Sequence, residues 1–133
     1  MELAIRHELP AGTAFDDAVT RATEALATEG FGVLTTIDLQ AKMLEKLDRQ
    51  MGRYVILGAC NPALAWDAVG AVPEIGVLLP CNVIVREDPA AGGAVVLEAM
   101  NPLAALGLID DDTVRAVATD ADARLRRALA ALS

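Results

Sequence analysis

Both cysteines of the chain are followed by asparagine, at Cys60-Asn61 and Cys81-Asn82, about twenty residues apart. A thiol acts as nucleophile or metal ligand in its thiolate form, and a helix N-terminus favours that form. Cys60 stands just before Asn61-Pro62, a capping side chain followed by a ring that already holds the helical φ. The pattern therefore predicts a helix starting beside the Cys60 sulfur. Asn61 and Asn82 each bring an amide donor that could steady a thiolate or an oxyanion. The expected ligand-binding set is Cys60, Asn61, Cys81 and Asn82. The competing reading is plain: buried cysteines often act as small hydrophobes, and Asn61 can be a helix cap and nothing more. Residue types alone leave both open.

Other candidate chemistry is thinner. No metal site is expected, since structural zinc wants four ligands and the chain has two cysteines and one distant histidine, His7. Four thiolates could meet only across a two-fold axis, and no Cys-x-x-Cys pair supports that. His7 reads as a sheet-surface residue, with no Ser or Cys motif beside it. Glu74, Asp38 and Glu98 are possible acids, and Asp38 is better explained as a helix cap. Gly30, Gly32 and Gly58 match no phosphate-loop pattern. Trp66, the sole tryptophan, is expected one turn into a helix, facing the core or a partner.

The elements that must hold these residues follow from periodicity. Glu2 to Glu8 alternate as a half-buried strand closed by Pro10 and Gly12. A helix is predicted from Thr13, capped by its hydroxyl with Asp16 completing a capping-box-like pattern. Its stripe is Phe15, Ala18, Val19, Ala22 and Leu26, and Gly30 ends it in the left-handed region. Phe31 to Ile37 reads as a strand, followed by a helix from Asp38 to about Leu47 carrying Leu39, Met43 and Leu47 inward. Tyr54 to Ala59 is nearly all apolar, as in a strand covered on both faces. A helix over Ala63 to Val69 stops before Pro73. Val77 to Arg86 reads as a strand interrupted or begun at Pro80, returning through Asp88 to Gly93 as Ala94 to Ala99. Asn101-Pro102 repeats the helix-start device, and Thr113 to Leu132 forms a last amphipathic helix with acids at its start and arginines near its end. The order means α+β, a mostly antiparallel sheet with helices on one face.

At 133 residues the chain fits one domain over residues 1–133. A net charge of −8, from 19 acidic and 11 basic residues, repels phosphate backbones and anionic headgroups. Aromatic content of 3 % leaves little for base stacking. No nucleic acid is expected as a partner. No run approaches the roughly 20 apolar residues of a membrane span, and the start lacks the features of a signal peptide. A cytoplasmic protein with no membrane partner is expected, its cysteines resting as thiols. An apolar share of 54 % exceeds what one small core hides, which points to a homodimer. Val83, Val85, Val95 and Leu97 alternate on one strand face as candidate contacts, unless they lie under the last helix.

Three stretches carry a resemblance: Gly30 to Asp38, Tyr54 to Pro62 with its Leu-Gly-Ala-Cys-Asn-Pro, and Pro73 to Val83 with its Leu-Leu-Pro-Cys-Asn-Val. Together they resemble the domain-of-unknown-function 302 family. The resemblance implies a β-α-β(4)-α order, like one half of the TATA-binding-protein fold, and dimers. It implies no activity and no cofactor. DNA binding does not follow either, because that work needs a basic, wedge-bearing surface. The reading that results is a small dimeric module, ligand-binding or redox-linked, with a pocket near the two Cys-Asn dipeptides. Its rivals are a thiol-dependent enzyme using Cys60 and a protein-interaction dimer with no small-molecule site.

Overall fold

A computed structural model of the chain describes residues 1–132. The elements in order are β1 (Ala4–Glu8), α1 (Phe15–Thr28), β2 (Gly32–Asp38), α2 (Leu39–Leu47), β3 (Tyr54–Cys60), α3 (Pro62–Ala71), β4 (Cys81–Asp88), β5 (Ala94–Met100), α4 (Pro102–Ala105) and α5 (Asp112–Ala130). A 3-10 turn, Pro73–Leu78, lies between α3 and β4, and a shorter one, Pro89–Ala91, makes the β4–β5 connection. With the insertions set aside this is strand, helix, four strands, helix, the expected α+β order.

The five strands form one antiparallel sheet in the order β1-β5-β4-β3-β2. Period-two alternation sends Val55, Leu57 and Ala59 of β3, Val83 and Val85 of β4 and Val95, Leu97 and Ala99 of β5 to one face. That face meets α1 and α5 in the main core, where Leu26, Leu125 and Leu129 pack against it. Val83, Val85, Val95 and Leu97 are therefore core residues beneath the helix layer, with α1 the helix that touches β4 and β5, and their candidacy as a dimer contact falls. A second cluster joins Ala68 of α3, Ile75, Leu106 and Val114, Val117 and Ala118 of α5. It extends the core beyond the end of the sheet, and the candidate site lies between the two clusters.

Helix ends follow the side-chain chemistry, with one exception. Asp38 accepts from the Ala41 N–H, Asn61 from Leu64, Asn101 from Leu103 and Ala104, and Asp111 from Val114, each satisfying an otherwise orphaned donor. The exception is α1: its N-cap is Ala14 with no side-chain bond, and Thr13 Oγ1 instead donates to the Pro10 carbonyl at 2.7 Å. Thr13 closes the preceding turn, so the expected capping box does not form. On α2, Leu39 and Met43 are half-buried and Leu47 is 60 % exposed. The helix touches β3, and only the far end of its stripe, at Leu47, stands in solvent.

Candidate functional site

Three of the four expected site residues meet. Cys60 is the last residue of β3 and lies opposite Gly32; Asn61 caps α3; Cys81 opens β4 opposite Ala59. All three line one cavity of about 310 Å³. Asn82 does not. It pairs with Gly58 and is exposed on the other face, because a strand turns successive side chains to opposite sides. With Cys81 turned inward, Asn82 has to face out.

The rest of the lining comes from distant parts of the chain: Phe31 and Leu34 around the start of β2, Leu64, Ala65 and Ala68 of α3, Leu79 and Pro80 before β4, Leu106, and Val117 and Ala121 of α5. Nearly every surface is carbon or sulfur. The one amide, Asn61, is already engaged: Oδ1 accepts from the Leu64 N–H at 3.2 Å and Nδ2 donates to the Glu29 carbonyl at 3.5 Å. Arg124 Nη1 donates to the same carbonyl at 3.1 Å and Arg124 Nε to Asp120 at 2.7 Å. One carbonyl at the end of α1 thus ties together the start of α3 and the middle of α5, the two helices that flank the cavity. Gly30 permits this junction. Its φ is +82°, and a Cβ there would stand 2.9 Å from Asn61 Nδ2.

Gly58 performs a similar service for the cysteines. A Cβ at Gly58 would overlap Thr35 Oγ1 and lie 2.9 Å from Pro80 Cγ. The bare backbone lets Pro80 close against β3, which sets where Cys81 begins β4. Both thiols are free. Cys60 is half-buried and Cys81 only 9 % exposed. Burial pushes the Cys81 thiol up to about 11, with the neighbouring Cys60 adding to the effect. At neutral pH Cys81 is a protonated, apolar wall.

Other candidates stand apart from the cavity. His7 lies on β1, at the sheet edge remote from β2 and β3, opposite Leu97. Its side chain faces the core side, and Nε2 is buried with no hydrogen-bond partner among the described residues. The surface reading of His7 is thus corrected: odd-numbered residues of β1 face inward with Ile5 and Leu9. Asp38 caps α2 as expected. Glu98 accepts from Arg86 Nε at 2.5 Å on the opposite sheet face, where Arg6 also bonds Asp88 at 2.7 Å. Glu74 is exposed. Trp66 is 82 % exposed, so it faces solvent and not the core. Among the described residues no group of three His, Cys, Asp or Glu could hold a metal ion, and no helix is long and apolar enough to cross a membrane.

Compared with known proteins, residues 5–132 match the family described as "Domain of unknown function DUF302". The chain is also similar to a crystal structure of an uncharacterized conserved DUF302 protein from Bacillus stearothermophilus, with 26 % identity over 100 % of both chains and a TM-score of 0.89. No curated protein matches.

Proposed function

The chain belongs to the DUF302 family, whose description names no activity, and we propose from its cavity that it is a binding module for a small apolar molecule. The observation that carries this is the cavity of about 310 Å³ with its almost wholly apolar lining. Ligand pockets run from about 300 Å³ upward and are lined mainly by hydrophobic side chains. A charged or strongly polar ligand would lose its hydration here and find no free donor or acceptor in return.

The thiol-enzyme alternative has less support. No imidazole, carboxylate or amine stands among the lining residues, so a Cys60 nucleophile has no neighbouring base to activate it. The module works as a homodimer in this reading. What supports that is β2, an edge strand with Leu34 66 % exposed and no charged side chain before Asp38. An open, uncharged edge is a template for a second strand.

The test is titration with N-phenyl-1-naphthylamine, a neutral apolar dye that brightens on leaving water. Saturable enhancement is expected in the parent protein. Ala65→Phe, which places a ring in the cavity from the half-buried face of α3, is expected to abolish it while leaving the fold; Ala65→Leu, a smaller plug, should weaken it. Enhancement that is absent from the parent, or undiminished in both variants, sinks the reading.

A further inference from the structure

We propose that Cys60 and Cys81 form a dithiol–disulfide site inside the cavity, with a small-molecule disulfide as its oxidant, and that the bond closes the cavity to its ligand. The closing half rests on the apolar-ligand reading above; the covalent half does not.

The geometry begins with register. Ala59 lies opposite Cys81, so Cys60 is one step along the neighbouring strand. Strands about 4.8 Å apart, rising about 3.4 Å per residue, put two such Cα atoms about 6 Å apart. That falls within the span of about 4.4–6.8 Å that disulfides bridge. Neighbouring residues on a continuing strand would turn their side chains to opposite faces. Here β3 ends at Cys60 and the chain turns into α3, and both cysteines line the same cavity.

The lining decides what two thiols in such a place can become. A metal held by two thiolates needs further ligands, and no His, Asp or Glu lines the cavity to supply them. A disulfide is neutral and needs no hydrogen bond. Oxidation therefore suits these walls, whereas ionisation of both sulfurs does not.

The order of events follows exposure. Half-buried Cys60, as thiolate, attacks one sulfur of the small disulfide RSSR; a Cys60–S–SR bond forms, and RS⁻ leaves and takes up a proton. Buried Cys81 then gives its proton to solvent and attacks Cys60 Sγ, forming the internal bond and expelling the second RS⁻, which is protonated in turn. One RSSR is reduced to two RSH, and two protein thiols are oxidised. The new bond joins the end of β3 to the start of β4 within the cavity wall, beside Pro80 and the start of α3.

Oxidised glutathione supplies the test. The folded, reduced protein is incubated with it, quenched in acid, weighed by mass spectrometry, and titrated with N-phenyl-1-naphthylamine. The parent should lose two hydrogens and retain no glutathione. Cys81→Ser should stop at a glutathione adduct on Cys60, and Cys60→Ser should remain largely unmodified. Oxidation should abolish dye binding, and dithiothreitol should restore it. A persistent glutathione adduct on the parent, or two untouched thiols, overturns the covalent half. Dye binding that survives oxidation overturns the closing half. If the reduced protein never binds dye while the mass still falls by two hydrogens, the ligand reading alone has failed.

Discussion

At the scale of single residues the two cysteines differ because their surroundings differ. The Cys81 thiol, pushed up to about 11 by burial, holds its proton at pH 7; iodoacetamide needs thiolate. In the folded protein, alkylation of Cys60 is expected to outrun that of Cys81. The Cys81 rate should climb as pH rises toward about 11, measured by peptide mass after timed quenching. Equal rates at pH 7 would show that the cavity is not closed around Cys81. Asp88 offers a pH test of the opposite sign. Its hydrogen bond from Arg6 holds it below the ordinary carboxylate value, opposed by burial and aided by the Ala90 N–H and Arg86. A carboxyl depressed in the folded state adds stability above its unfolded pKa of about 3.9, and that stability is lost as pH falls through the folded value. Asp88→Asn should lower the melting temperature at pH 7 and flatten its decline below pH about 4; a variant as acid-sensitive as the parent would refute the Arg6 assignment. Residue types singled out Cys60, Asn61 and Cys81, and long-range packing is what brings them to one cavity. Asn82 was misplaced because a dipeptide repeated in sequence looks equivalent, whereas β4 turns its two members to opposite faces.

Among the elements, the junction of β2, β3 and the Leu79-Pro80 segment carries most of the consequence for the site. Gly58→Ala would drive a methyl into Thr35 and Pro80. Such overpacking costs about 1–3 kcal/mol, and the variant should show both a lower melting temperature and weaker dye binding. A stable variant with parental binding would mean that the Pro80 contact does not shape the cavity. On α5, Leu125 is fully buried against the sheet. Leu125→Ala should cost about 2–5 kcal/mol in urea unfolding, and a loss under about 1 kcal/mol would contradict its place in the core. Most strands and helices were legible from alternation and from Asn-Pro and Asp caps, since those signals are local. The capping of α1 was not, because Thr13 had two acceptable partners, a turn carbonyl and the helix end. Sequence cannot say which the surrounding backbone favours. The inward stripe expected for α2 holds at Leu39 and Met43 and not at Leu47, because a 3.6-residue period says which side is apolar, not how far anything covers it.

For the molecule as a whole, the proposed dimer needs a surface on which two acidic copies can meet. The β2 edge, uncharged from Gly32 to Ile37, is such a place, with Leu44 and Leu47 exposed on α2. Sedimentation at micromolar concentration should show a dimer, and Ile37→Glu with Leu47→Glu should yield a folded monomer. A monomeric parent would remove the dimer and leave the cavity untouched. The cavity itself was only half visible in the sequence. Its cysteines and Asn61 announced themselves, but Leu34, Leu79, Leu106 and Val117 join them only through long-range packing between the two core clusters. The most direct measurement of the central claim is methyl NMR of the reduced protein during titration with N-phenyl-1-naphthylamine. The shifts should concentrate on Leu34, Leu64, Leu79, Leu106 and Val117, with the buried Leu125 and Val85 little moved. Shifts scattered over the exposed methyls of Leu3, Val77 and Leu108, with the cavity methyls unmoved, would contradict it.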